Sequence, residues 1–209
     1  GQNPEFTLCE SKLGNNWAKA GAIKDAGDDP DITHGCKIIS KVRIGRKNSG
    51  IIFKSGEGVG TVTLRGLPLK IGEPAINPKP RELISNVINQ IADEFNAPTD
   101  LIITISIPNG EILAKKTMNG RLGIVGGLSI LGTTGIVIPY SCASWVNSIH
   151  RGIDVARAAN LNHIAAATGS TSETAVKNML NLPEQALIDM GDFAGGMLKY
   201  LRKKPIPFL

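Results

Sequence analysis

The sequence predicts a mixed α+β and α/β chain: a strand-rich N-terminal domain with one long helix and a glycine-rich loop, residues 1–140, then an alternating helix–strand portion built on a parallel, flavodoxin-like sheet, residues 141–209. Three observations carry this expectation. Between Gly21 and Val137 the apolar residues fall in short runs broken by glycine and proline, the texture of strands and turns. The segment Pro80 to Phe95 departs from that texture and repeats its apolar residues at three-to-four spacing. After Pro139 helical and short apolar segments alternate, the usual signature of parallel strands joined by crossover helices.

Taken in order, Ile38 to Ile44, Ile51 to Lys54 and Val59 to Leu64 read as strands with turns between them. Leu83, Ile84, Val87, Ile88, Ile91, Ala92 and Phe95 lie on one stripe of a helix, and Pro80 suits its first turn. Leu101, Ile103, Ile105 and Ile107 alternate, with β-branched residues also between them, as in a strand covered on both faces. Beyond Pro139 the expected order is helix Cys142 to Ala159, strand Ile164 to Thr168, helix Ser172 to Leu180, strand Ala186 to Met190 and helix Phe193 to Lys203. Ligands of such sheets sit beyond the carboxyl ends of strands, which marks the turns Gly169 to Thr171 and Gly191 to Asp192 as candidate site loops.

Composition narrows the function classes. The apolar stretch Leu122 to Pro139 is interrupted by five glycines and by Ser129, Thr133 and Thr134, so it falls short of the roughly 18 uninterrupted residues of a membrane helix. No membrane span is expected, and with no basic, then apolar leader at Gly1 to Phe6 the expected setting is the cytoplasm. Cys9, Cys36 and Cys142 show no Cys-x-x-Cys pair and are expected to be small buried side chains. A formal charge of +5 favours anionic partners, either nucleic acid or a polycarboxylate. With two Trp, two Tyr and five Phe, a base-stacking platform lacks material, and nucleic acid is not the expected partner.

Four segments could carry chemistry. Gly123 to Gly135 exposes backbone amides for close approach to a ligand, yet matches neither a Walker A loop nor a Rossmann fingerprint, and tight turns between strands explain it equally well. Lys24 to Gly35 holds four aspartates and His34 among turn formers; it does not follow the calcium-loop spacing, and no metal is expected. Gly72 to Arg81 presents Glu73, Asn77, Lys79 and Arg81 at a helix start, where anions are favoured, or it is an ordinary capped start. Lys115, Lys116 and Arg121 precede the glycine-rich stretch and could bind carboxylates or simply be solvated. His34, His150 and His163 lack ligand spacing, and no serine sits in a nucleophile elbow.

Lys24-Asp25-Ala26-Gly27-Asp28-Asp29-Pro30-Asp31-Ile32-Thr33-His34-Gly35, Gly56 to Thr63, Gly72-Glu73-Pro74-Ala75-Ile76-Asn77-Pro78 and Leu122 through Pro139 resemble, in this order, the cobalt-precorrin-5B C(1)-methyltransferase family of anaerobic cobalamin synthesis. Thr168 to Glu173 and Met190 to Phe193 look like two further family segments, so the resemblance extends from Ala20 to Leu201. Family members usually begin with a Thr-Thr-Gly segment and an alanine-rich helix and continue beyond a point equivalent to Leu209. Neither part has a counterpart in this chain, which is expected to be a shortened form.

The resemblance implies transfer of a methyl group from S-adenosylmethionine to ring carbon 1 of a cobalt-corrinoid precursor, with cobalt present only as part of that substrate. The protein's task would be positioning and electrostatic shaping rather than covalent catalysis. On side-chain chemistry, Asp28, His34 and Glu73 are the catalytic candidates. Gly126, Gly127, Gly132, Thr133, Thr134, Gly135, Thr168, Gly169 and Asp192 are expected at the cofactor. Asn77, Lys79, Arg81, Lys115, Lys116, Asn119 and Arg121 are expected at the carboxylates of the corrinoid. A non-catalytic corrinoid-binding or scaffold protein stays open as the other reading, as does a homo-oligomer.

Overall fold

The computed structural model describes residues 5–132 and 134–206. Its N-terminal part contains strands β1 (Leu8–Gly14), β2 (Trp17–Ile23), β3 (Lys37–Ile44), β4 (Ile51–Ser55) and β5 (Thr61–Val62), helix α1 (Pro78–Phe95), strand β6 (Leu101–Ser106), the short helix α2 (Gly110–Ala114) and strand β7 (Ile124–Val125). Helix α3 (Cys142–Ala158), strand β8 (Ala165–Ala167), helix α4 (Ser170–Leu180), strand β9 (Leu187–Asp189) and helix α5 (Ala194–Lys203) follow. The architecture is the mixed one expected: a strand-rich first part with one long helix, then alternating helices and strands.

The main sheet has the order β1-β2-β3-β6-β4, antiparallel except for the parallel β4–β6 pair. Its register sends Val42, Ile103, Ile105 and Phe53 to one face, where Ile84 and Ile88 of α1 close a core with Val59, Ile76, Ile107 and Leu128. The helical stripe and the alternation of β6 thus meet, and burial of those branched side chains drives the layer together. Helix α1 starts at Pro78, two residues before the expected position, because a proline at the first helical position costs no amide that the helix would otherwise use.

Two elements depart from the sequence reading for physical reasons. On the α1 side β2 carries Ala18, Ala20 and Ala22, side chains too small to give a visible apolar alternation, and their β1 partners Leu13, Ser11 and Leu8 are exposed. Its two-residue turn is Asn15-Asn16, with Asn16 in the left-handed region (φ 60°). The expected strand Val59 to Leu64 shrinks to the two-residue β5, paired with β7, because Pro74 and Leu128 also bridge to this segment and bend its backbone between partners. The cysteines are a correction. Cys9 and Cys142 are exposed and Cys36 half-buried, since Cys9 lies on an edge strand beside a register shift and Cys142 opens a helix at the surface.

In the C-terminal part β8 and β9 pair in parallel, and α3 and α5 pack on them through a core of Ile149, Ile153, Ala156, Ile164, Ile188, Met197, Leu201 and Ile206, while α4 buries no residue. The strands are shorter than the runs that suggested them; Ala186 belongs to a single 3₁₀ turn, Glu184–Ala186. Among the described residues, the contacts that join the two parts include the Gly66 backbone against Asp154 and Val155, and Arg121 paired with Glu173 and near Glu184. No helix among the described residues is long and apolar enough to cross a membrane.

Candidate functional site

The parallel register of β8 and β9 aligns their carboxyl ends. Ala167 pairs with Asp189, and the Met190 amide donates to the Ala167 carbonyl at 2.9 Å, so the turn at Thr168 and Gly169 sits beside the turn at Gly191 and Asp192. Thr168 and Asp192 are exposed. Gly169 is the N-cap of α4 with no side chain satisfying the first turn, and no atom lies within 4 Å of where a Cβ would be. Amides at such a helix start attract a carboxylate or phosphate oxygen.

The start of α3 forms the next wall. Trp145, 47% exposed, stacks obliquely on Phe193 with ring centroids 6.1 Å apart, and its indole packs against Gly191. One turn earlier the Tyr140 amide donates to Asp29 Oδ1 at 2.8 Å, which ties the aspartate-rich loop between β2 and β3 to the same edge of the molecule. Between Ile130, whose carbonyl accepts from the Asn77 amide at 2.9 Å, and Tyr140 runs the outer glycine-rich segment. Gly132, Thr134 and Gly135 are exposed there, with the Ile136 amide donating to Thr134 Oγ1 at 3.2 Å. Thr133 lies outside the described residues.

The aspartate-rich loop is largely self-satisfied. Lys24 donates to Asp31 and, at 2.6 Å, to Thr33; Thr33 donates to Asp31 through both its amide and its hydroxyl. Burial of Asp31 works against its charge, but the bonds from Lys24 and Thr33 outweigh it and hold the carboxyl below its ordinary value. The Ala26 amide donates to Nδ1 of the exposed His34 imidazole at 3.1 Å. Asp28 is exposed on the same loop.

The remaining candidates fall into two kinds. Lys115 and Lys116 are exposed just after α2, and Lys79 is exposed in the first turn of α1, 2.5 Å from Glu82. Asn77, Glu73, Arg81, Asn119 and Arg121 are engaged inside the protein. Arg81 Nε donates to the Ile76 carbonyl (2.8 Å) and Nη2 to the Pro74 carbonyl (3.1 Å), while Glu73 accepts from the Lys70 amide (3.0 Å) and from Arg81 (3.5 Å). Because Pro78 and Pro80 carry no N–H, Lys79 is the one residue of the first three in α1 that offers a backbone donor. Asn119 is buried; its amide group donates to the Gly127 carbonyl at 3.1 Å and accepts from Ser129 at 3.2 Å.

Arg121 clasps Glu173 of α4 in a two-pronged pair, one prong 2.6 Å long, with Glu184 at 3.7 Å. Glu173 holds the guanidinium charge even more firmly than usual, raising its already high proton affinity. Beneath this pair a cavity of about 20 Å³, lined by Met118, Leu122, Ile149 and Leu187 among others, has room for one water. A larger groove of about 590 Å³, lined by Arg157, His163 and Ile206, lies at the amino end of β8, opposite the strand-end turns, and contains none of the candidate residues. The strand-end edge is the better candidate because it gathers helix-start amides, exposed carboxylates and an aromatic face.

Sequence reasoning gave no role to Trp145 or Glu173. An exposed tryptophan three residues into a helix that follows a glycine-rich loop was the available signal for Trp145. Nothing in the sequence signals the pairing of Glu173 with Arg121, 52 residues away.

Comparison with known proteins bears on the same residues. Residues 1–139 match the family model CbiD. A relative from Paramagnetospirillum magneticum named "Cobalt-precorrin-5B C(1)-methyltransferase" is 58% identical over 207 residues, covering 99% of this chain and 58% of the relative. Relatives of the same name from Methylorubrum extorquens and Brucella anthropi are 56% and 58% identical over 206 residues, covering 99% of this chain and 57% and 56% of their own lengths. The chain therefore spans a little over half the length of these relatives. A crystal structure of a cobalamin biosynthesis protein (cbiD) from Archaeoglobus fulgidus, 28% identical, aligns with 95% of this chain and 61% of its own, with a TM-score of 0.46.

Proposed function

The chain belongs to the CbiD family, and from that premise we propose that it takes part in S-adenosylmethionine-dependent transfer of a methyl group to ring carbon 1 of cobalt-precorrin-5B. The observation that supports this most is the 58% identity, over 99% of the chain, to a relative named for that methyl transfer. The cofactor supplies an electrophilic methyl group on a sulfonium, and the chain's residues bind, orient and exclude water.

The strand-end edge has the chemistry for the cofactor. Open backbone at Gly126, Gly132, Gly135 and Gly169, with no atom within 4 Å of a Cβ position, leaves room for close approach. Thr168 and Thr134 supply hydroxyls, Asp192 a carboxylate suited to ribose hydroxyls, and Trp145 an apolar face for a purine ring. Lys79, Lys115 and Lys116 would meet carboxylates of the corrinoid, while Asp28, His34 and Glu73 would set the charge around the reacting carbon. Asn77, Arg81, Asn119, Arg121 and Gly127 would act as positioning residues, since their polar groups or backbone already serve internal partners. We also propose the division into residues 1–140 and 141–209 as two folding units, because the buried clusters on either side share no residue.

Titration calorimetry of the 209-residue chain with S-adenosylhomocysteine tests the cofactor site. Saturable one-to-one binding is expected, weakened by Trp145→Ala; absence of binding would remove the cofactor site from these residues.

A further inference from the structure

The face of the main sheet that α1 does not cover carries an ordered charge pattern visible only in the register. Lys12 pairs with Lys19, Lys19 with Lys41, Lys41 with Thr104 and Thr104 with Lys54. These five residues form one row across all five strands, four intervals of about 4.8 Å or roughly 19 Å. Arg43 stands in the next row between Trp17 and Ile102, and Lys37 lies at the other side, near Glu10. Along its strands this face holds six cations and a single carboxylate, a formal +5 that equals the charge of the entire chain.

Glu10 is fully engaged by its neighbours. It pairs with Lys19 and, at 2.5 Å, with Lys37, and those two bonds pull its carboxyl down to about 2. Among the described residues Lys41, Arg43 and Lys54 have no carboxylate within 4 Å, and all three are exposed. Like charges on directly paired strand positions destabilise a sheet, so the row carries a cost that an acidic partner would relieve. We infer that this open face docks an acidic surface of a partner protein, with the row Lys12–Lys19–Lys41–Lys54 and Arg43 facing its carboxylates.

Other ligand classes fit less well. Neither of the two cavities described above is lined by a residue of this face, whereas small molecules are held in concave sites. Trp17 is closed off from stacking on a nucleic-acid base: one side of its ring lies against Gly14 and Lys41 Nζ sits over it, 4.7 Å from the centroid. Ile52 (38% exposed) and Ile23 (51% exposed) border the cations and give a protein partner apolar contact as well as charge. The inference is independent of the methyl-transfer reading.

Fluorescence anisotropy with labelled poly-L-glutamate, and in parallel a labelled 20-nucleotide thymidine strand, tests it on the intact chain at 20 and 200 mM NaCl. The wild type is expected to bind poly-L-glutamate at low salt, and Lys41→Glu with Lys54→Glu to weaken it by about tenfold or more. Lys199→Glu with Lys203→Glu on exposed positions of α5 is expected to change it by less than about twofold. Should the reversed pair fail to fold by circular dichroism, Lys41→Gln with Lys54→Gln serves instead. No binding at 20 mM NaCl, equal losses in both pairs, or tighter binding of the thymidine strand would overturn the inference. So would salt-sensitive self-association by sedimentation that the sheet variant abolishes, because the occupant would then be a second copy of the chain.

Discussion

Two stretches of backbone rich in glycine make opposite use of the missing side chain. At Gly58 and Gly127 the chain is sealed: a methyl group on Gly58 would overlap the Ile107 carbonyl and lie 2.8 Å from the Gly110 amide nitrogen, and one on Gly127 would overlap the Gly58 carbonyl group. The Leu128 amide donates to the Gly58 carbonyl at 2.8 Å across this knot. A few residues on, Gly132 and Gly135 have nothing within 4 Å of a Cβ position. The first pattern builds the fold; the second leaves backbone accessible, as a ligand-approach segment requires. In the glycine-rich run that the sequence marks as one unit, the structure separates a packed stretch at Gly123, Gly127 and Leu128, interrupted by the open turn at Gly126, from an open half beyond Ile130.

The sharpest way to break this comparison is to add a methyl group at the knot. Gly58→Ala meets backbone atoms that cannot rotate away, and its φ of 71° is unfavourable for alanine as well. A loss of at least about 3 kcal/mol is expected in urea unfolding, enough to empty the folded state of a marginal domain. A variant of wild-type stability would show that the knot is loosely packed and the distinction false.

Gly135→Ala separates conformational strain from steric conflict. Its φ of 79° disfavours alanine, but no neighbour stands in the way. The expected loss is about 1–2 kcal/mol, below that of Gly58→Ala, read as a shift in urea midpoint at unchanged slope. A loss as large as at Gly58 would mean that the open segment is packed in solution.

The sequence marked both stretches without being able to tell them apart, and the reason is general to this molecule. The α1 stripe and the alternation after Pro139 are local signals, and both appear in the structure within a few residues of the expected bounds. The β1–β2 hairpin was hidden because Ala18, Ala20 and Ala22 pack without announcing a core. The lysine row exists only through pairing between strands, and residues 12, 19, 41 and 54 show no pattern along the chain. The site residues divide in the same way. Exposure of Lys115, Lys116 and Asp192 accords with the charge each carries, whereas the internal engagement of Arg81, Asn119 and Arg121 depends on carbonyls and carboxylates supplied by the fold.

Gly132→Val gives the smallest effect on stability and the most informative one on function. Gly132 is not among the glycines with a left-handed φ and has open space around its Cβ position, so valine is expected to change the unfolding free energy by no more than about 0.5 kcal/mol. If this segment approaches the cofactor through its backbone, the branched side chain stands where the ligand must come, and S-adenosylhomocysteine affinity should fall by about tenfold or more, roughly 1.4 kcal/mol. Calorimetry on the folded variant reads the two quantities separately. Unchanged affinity would place the cofactor away from residues 132–135 while leaving the knot at Gly58 and Gly127 intact, and the openness of this segment would then have to be explained by substrate access rather than cofactor binding.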